Sequence, residues 1–63
     1  MIRFITMEEA RARDGFSRSK QYDLIKSGRY PKPVVVDSRK RIVEHEHDAF
    51  LAQLIAERDG EAA

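Results

Sequence analysis

The chain has 63 residues, 37% of them charged and none of them cysteine, with a net charge of +1. That length allows one small domain near the lower limit of independent stability, and the lack of cysteine excludes disulfides, thiol chemistry and cysteine-zinc sites. No apolar run approaches the roughly 20 residues of a membrane span, and Met1-Ile2-Arg3-Phe4-Ile5 is too short, and too soon followed by Glu8 and Glu9, to be a signal peptide.

Phe4 and Ile5 read as a short extended lead-in. Thr6 followed by Glu9 is a capping-box pattern, so the first helix is expected to begin after Thr6. It runs to about Asp14 and stops at Gly15, the residue type that tolerates a left-handed stop. Its apolar content is thin, Met7, Ala10 and Ala12, so it must lean on neighbours. Phe16 precedes Ser17, a good N-cap, and is placed to anchor the inter-helix turn. The second helix is expected from Arg18 to about Ser27, ending at Gly28. Leu24 and Ile25 face inward, while Arg18, Ser19, Tyr22 and Lys26 share another side.

Beyond Gly28, Pro31 and Pro33 force extended backbone. Val34-Val35-Val36 is a β-branched run and predicts a strand. Asp37-Ser38-Arg39-Lys40 predicts a charged turn, and Arg41-Ile42-Val43 the return strand. A lone hairpin is marginal in water, so this one must pack on the helices. A third helix is expected from Glu44 or His45 to about Arg58, with His47, Phe50, Leu51, Leu54 and Ile55 as its apolar stripe. Asp59-Gly60-Glu61-Ala62-Ala63 reads as a frayed end.

The overall charge conceals a strong segregation. Arg18, Lys20, Lys26, Arg29, Lys32, Arg39, Lys40 and Arg41 are opposed only by Asp23 and Asp37, eight cations against two anions, a net of +6. Residues 1–17 are neutral. From Ile42 onward Arg58 faces six carboxylates, a net of −5. Such asymmetry points to a polyanion on one face. Two short helices joined by Gly15 to Ser17, followed by a basic hairpin and a third helix, is the layout of a winged helix-turn-helix, mainly α with a small β-hairpin. The expectation is one such domain over residues 1–63, with an ordered core of about 4–58.

Phe16-Ser17-Arg18-Ser19 with Tyr22, Leu24-Ile25, Gly28-Arg29-Tyr30-Pro31-Lys32-Pro33-Val34 and Asp48-Ala49-Phe50-Leu51 resembles the AlpA-like regulators. These are small MerR-type winged-helix proteins of prophages and mobile elements, related to phage excisionases. The likeness spans roughly Phe4 to Ile55. It implies a cytoplasmic, nucleoid-associated DNA-binding protein that regulates transcription or assists excisive recombination. It also allows several copies on adjacent DNA sites and an integrase partner. Three positions depart from the family pattern: Gln21 replaces an aliphatic residue, Asp23 a common basic one, and Val43 a frequent tryptophan. Gln21 is expected to loosen the contact with the first helix, and Asp23 to weaken attraction to phosphate.

In that layout the second helix enters the major groove of double-stranded DNA. Arg18, in its first turn beside Ser17 and Ser19, suits a bidentate bond to guanine, worth about 1–3 kcal/mol of discrimination. Lys20, Lys26, Arg29 and Lys32 suit phosphate contacts, which position without reading sequence. Gln21 reads adenine only if the helix is rotated. Tyr22 suits a phosphate or thymine-methyl contact, or pads the surface. Arg39 and Lys40, at the hairpin tip with Arg41 adjoining, suit a narrow minor groove or the backbone, their bland alternative being protection of an edge strand.

Glu44-His45-Glu46-His47 invites a metal reading, but histidines two apart on a helix point to different faces and nothing completes the site. His47 is expected in the core. No catalytic triad, phosphate loop or paired carboxylates occur, so neither enzyme activity nor a cofactor is expected. Two rivals stand beside DNA regulation. One is a protein-interaction module whose acidic third helix binds an integrase or polymerase subunit. The other is the recognition domain of a small phage terminase subunit, which ordinarily continues into an assembly segment after the third helix. The chain stops there, which weighs against this reading unless the sequence is a fragment.

Overall fold

The computed structural model describes residues 1–62. It shows β1 (Phe4–Thr6), α1 (Met7–Asp14), α2 (Arg18–Ser27), β2 (Val34–Val36), β3 (Arg39–Val43) and α3 (Glu44–Ala62) in chain order. Three helices and a small antiparallel sheet make this a winged helix-turn-helix, as the patterning predicts.

The caps form as their chemistry requires. Thr6 Oγ1 accepts from the Glu9 backbone N–H at 2.9 Å, and the Thr6 N–H donates to Glu9 Oε1 at 3.1 Å, completing the capping box. These bonds, the backbone N–H of Thr6 foremost, hold the Glu9 carboxyl below its ordinary pKa. The Ser17 side chain accepts from the Lys20 N–H at 3.1 Å and starts α2. Gly28 stops α2 at φ +82°, where a side chain is strained although space is open around it. The N–H groups of Arg29 and Tyr30 then both donate to the Leu24 carbonyl, which turns Tyr30 back under the helix.

Several expectations are corrected. Phe4 and Ile5 are no mere lead-in. They belong to a strand that pairs with the far half of β3, with Phe4 opposite Val43 and Ile5 opposite Ile42, so the wing is part of a three-stranded sheet ordered β1-β3-β2. This gives the hairpin the third strand that it needs for stability. The wing's turn is only Asp37-Ser38, with φ of 49° and 64°, the twist a two-residue hairpin loop demands. Arg39 and Lys40 therefore lie in β3 beside the tip, paired with Val36 and Val35. Helix α3 continues past Arg58 to Ala62, so Asp59 to Ala62 are helical rather than frayed; Ala63 lies outside the described residues. On α3 Ile55 is exposed, not part of the core, and on α1 Ala12 is likewise exposed.

Ile5, Ala10, Tyr30 and Ile42 form the core, with Met7, Phe16, Leu24, Ile25 and Phe50 packed on it. Phe50 docks α3 through aromatic contacts, 5.0 Å to the Tyr30 ring and 6.4 Å, edge-on, to Phe16. So small a core leaves an unusual share of the cohesion to buried polar groups. Asp14, at the end of α1, has no side-chain surface exposed. Its Oδ2 accepts from the Tyr30 hydroxyl at 2.6 Å and from His47 Nε2 at 3.0 Å, and its Oδ1 accepts from the Phe16 N–H at 2.9 Å. His47 Nε2 faces the carboxylate, and Nδ1 is buried without a hydrogen-bond partner. His47 thus packs in the core as expected.

Gln21 completes this network. It has no exposed surface, accepts from Arg11 Nη1 at 2.9 Å, and donates to the Met7 carbonyl at 3.1 Å and the Tyr30 hydroxyl at 3.3 Å. The residue expected to loosen α1 against α2 instead bonds them together. It cannot read a base, because its amide is wholly used inside. Burial and the bond to Asp14 push the Tyr30 hydroxyl up to about 12. Burial pushes the Asp14 carboxyl up, but the bonds from Tyr30, the Phe16 N–H and His47 outweigh it and leave the group below its ordinary value.

Candidate nucleic-acid interface

With Gln21 locked inward, the next residue on α2 must point outward. Tyr22 is 38% exposed. Arg18 lies one helical turn before it, its guanidinium carbon 5.9 Å from the centre of the Tyr22 ring. Lys40 reaches the same ring from β3, its Nζ 5.5 Å from the centre. The first turn of α2 and the wing therefore converge on one side chain, within cation–π range. Lys26 continues the same helical row one turn further on.

The remaining cations divide by whether they already have partners. Arg13 bonds Glu44 at 3.0 Å and Arg29 bonds both oxygens of Glu57 at 2.9 and 3.0 Å, tying α3 to α1 and to the elbow after α2. Arg11 is held by Gln21. Among the described residues, no carboxylate lies within ion-pair distance of Arg18, Lys20, Lys26, Lys32, Arg39, Lys40 or Arg41. Arg39, Lys40 and Arg41 also line a cleft of about 300 Å³ against Thr6, Met7 and Glu8 at the start of α1.

The basic residues singled out in the sequence thus form two groups. Arg18, Tyr22 and Lys40 come together, with Ser19, Lys20 and Lys26 exposed on α2 and Arg39 and Arg41 on the same strand as Lys40. Ser17 is exposed, its side chain engaged as the cap. Arg29 and Lys32 belong to the other side of the elbow. There they border a groove of about 500 Å³ with Pro31, and with Glu46, Ala49 and Gln53 of α3. Sequence reasoning missed the meeting of Lys40 with Tyr22, since only the register of β2 on β3 brings the lysine back to α2. It also missed Asp14 as the centre of the buried network, for which the sequence offers no signal beyond an acid before Gly15.

On α3, His45 is exposed while His47 is buried against Asp14, so the two rings point apart. Among the described residues no group of three or more His, Asp and Glu is placed to hold a metal ion. No helix among them is long and apolar enough to cross a membrane.

No curated protein and no solved structure matches the chain at a significant level. A family model does. The family described as prophage CP4-57 regulatory protein (AlpA) matches residues 3–43, well over half of the chain. The matched stretch runs from β1 through the end of the wing and stops before α3, so it leaves out Asp48-Ala49-Phe50-Leu51. On that match, and on the two capped helices and the wing that it spans, the chain belongs to the AlpA family of prophage regulatory proteins.

Proposed function

We propose that this protein is a DNA-binding regulator of a phage or mobile element, acting in the cytoplasm on the nucleoid. It works as one winged helix-turn-helix domain. Helix α2 enters the major groove and the wing engages the flanking backbone or minor groove. Arg18 reads a base edge, and Ser17, Ser19 and Tyr22 lie beside it. Lys20, Lys26, Arg39, Lys40 and Arg41 meet phosphates or the minor groove, with Arg29 and Lys32 at the margin of the contact. The observation that carries this reading is the convergence of unpaired cations from α2 and from the wing on Tyr22. Charges without internal partners remain available to a polyanion. The family match supports the regulatory role.

So small a surface makes about four to six phosphate contacts, too few for tight binding by one copy at physiological salt. Several copies on adjacent sites, with the DNA bent between them, supply the rest. That arrangement serves either transcriptional control or an excisionase role beside a phage integrase. A second reading, docking of an integrase or polymerase subunit on α3, draws on exposed Ile55 and on the groove beside Lys32. The two roles are compatible on separate surfaces.

The test is selection from a random duplex pool at about 0.15 M salt, with sequencing of the retained DNA. Enrichment of a short motif, in direct repeats if several copies bind, supports a sequence-reading regulator. Salt-sensitive retention without a motif favours the architectural, excisionase-like role. No retention overturns DNA binding and leaves docking on α3 as the better reading.

A further inference from the structure

Tyr22 has two cations within cation–π range of its ring. Arg18 is its neighbour along α2, whereas Lys40 comes from a different element, eighteen residues on. Like charges converging on one spot repel, and among the described residues no carboxylate lies within ion-pair distance of either of them. What both share is the electron-rich face of the ring, which attracts a cation within about 6 Å of its centre. Long basic side chains otherwise sample many rotamers and lose that freedom on binding. Held at the ring, they are ordered beforehand.

We propose that Tyr22 is a positioning residue that joins the recognition helix to the wing. The ring sets the Arg18 guanidinium and the Lys40 ammonium as one unit. Base reading by α2 and backbone contact by the wing are therefore coupled rather than independent. The proposal rests on the DNA-binding reading above and adds to it which side chain makes the two contacts cooperate. It assigns the role to the aromatic face of Tyr22, not to its hydroxyl. Tyr22 lies outside the core, so its substitutions should keep the fold, which circular dichroism of each variant checks.

The experiment has a part without DNA and a part with it. In the free protein, proton NMR should show the Lys40 ε-methylene and Arg18 δ-methylene shifted upfield by the ring current, relative to those of Lys20 and Lys26. The shift should persist in Tyr22→Phe and vanish in Tyr22→Leu. On a selected DNA duplex, Arg18→Ala and Lys40→Ala are then combined in a double-mutant cycle. In the wild type and in Tyr22→Phe the two losses should depart from additivity by at least about threefold, and in Tyr22→Leu they should simply multiply. An unshifted Lys40 in the free wild-type protein overturns the proposal whatever the DNA result. So do additive losses in the wild type, or a Tyr22→Phe variant that behaves like Tyr22→Leu, which would give the role to the hydroxyl. If the wild type shows the ring-current shift but binds no duplex, the DNA-binding reading fails, and the coupling role with it, while the ring contact stands.

Discussion

Gln21 and Tyr22 are consecutive residues of α2 with opposite fates. Gln21 has no accessible surface and its amide is bonded to Arg11, Met7 and Tyr30. Tyr22 is 38% exposed and draws two cations that have no other partner. One step of about 100° around the helix separates polar chemistry spent on the fold from polar chemistry left free. The same division runs through the arginines. Arg11, Arg13 and Arg29 each donate a hydrogen bond to a side-chain acceptor within the protein, whereas Arg18 rests on the Tyr22 ring and has no carboxylate partner. A charge already satisfied internally has little to offer a ligand. Counting basic residues therefore overstates an interface, and asking which of them lack partners refines it.

The comparison breaks most readily at Asp14. Replacing it with alanine strips the acceptor from the Tyr30 hydroxyl, His47 Nε2 and the Phe16 N–H together. Each buried donor left unsatisfied costs about 1–3 kcal/mol, and the three together match most of what a domain of this size holds. Asp14→Ala should therefore be largely unfolded at 25 °C by circular dichroism. A variant that unfolds near the wild-type urea midpoint would show that the network contributes little.

The same network has a signature in pH. The fold raises the Tyr30 hydroxyl from its usual 10 to about 12 by favouring the neutral form. That contribution is whole below pH 10 and is lost as pH rises toward 12. Asp14 works the other way. Its pKa is lowered, so its contribution is present above the ordinary carboxylate value of 3.8 and is lost as pH falls through the folded-state value beneath it. Urea titrations from pH 9 to 12 should show declining stability in the wild type and a flatter profile in Tyr30→Phe. Equal slopes would remove Tyr30 from the account.

On the outward side the effects should appear in binding and not in stability. Arg18→Ala should weaken binding to a selected site by about 1–3 kcal/mol and relax preference at one base pair, with an unchanged melting temperature. Arg39→Ala combined with Lys40→Ala should weaken binding to every duplex and reduce the salt slope by about two, with a further loss on the selected site through the coupling of Lys40 to Arg18. Fluorescence anisotropy over a salt series separates these outcomes. Loss of base preference in the wing double mutant, with none in Arg18→Ala, would reverse the roles of helix and wing.

What the sequence revealed was set by neighbours along the chain. Thr6 with Glu9, Ser17, Gly15 and Gly28 mark helix ends because caps act within a turn, and three valines suit a strand wherever they fall. What stayed hidden depends on partners far apart. Phe4 and Ile5 become a strand only because Ile42 and Val43 lie beside them. The wing's turn lacks the Asn-Gly or Asp-Gly that would announce a two-residue loop, since Ser38 takes a positive φ that its type rarely adopts. Gln21 looks like a flaw until the elbow brings the Tyr30 hydroxyl to it. Gly60 suggests an end to α3, yet the helix passes through it. The candidate site divides likewise. Arg18 and Tyr22 are adjacent by helical spacing alone, whereas Lys40 joins them through the strand register.

Arg29 gives the smallest and sharpest test, because its type suits phosphate while its position suits α3. Its guanidinium bonds both oxygens of Glu57, and the two side chains are 57% and 41% exposed. Exposed pairs of this kind contribute roughly 0–1 kcal/mol, so Arg29→Ala should lower stability by no more than that. If an internal partner withholds a charge from a ligand, the variant should also bind DNA within about threefold of the wild type, a change well under the effect of losing a base-reading arginine. Glu57→Ala then becomes the informative companion. It frees Arg29 at the margin of the proposed contact, where a released cation should strengthen binding slightly and steepen its salt dependence. An Arg29→Ala variant as impaired as Arg18→Ala would show that an exposed ion pair yields its arginine to DNA at little cost, and partnership would no longer distinguish the two sets of cations.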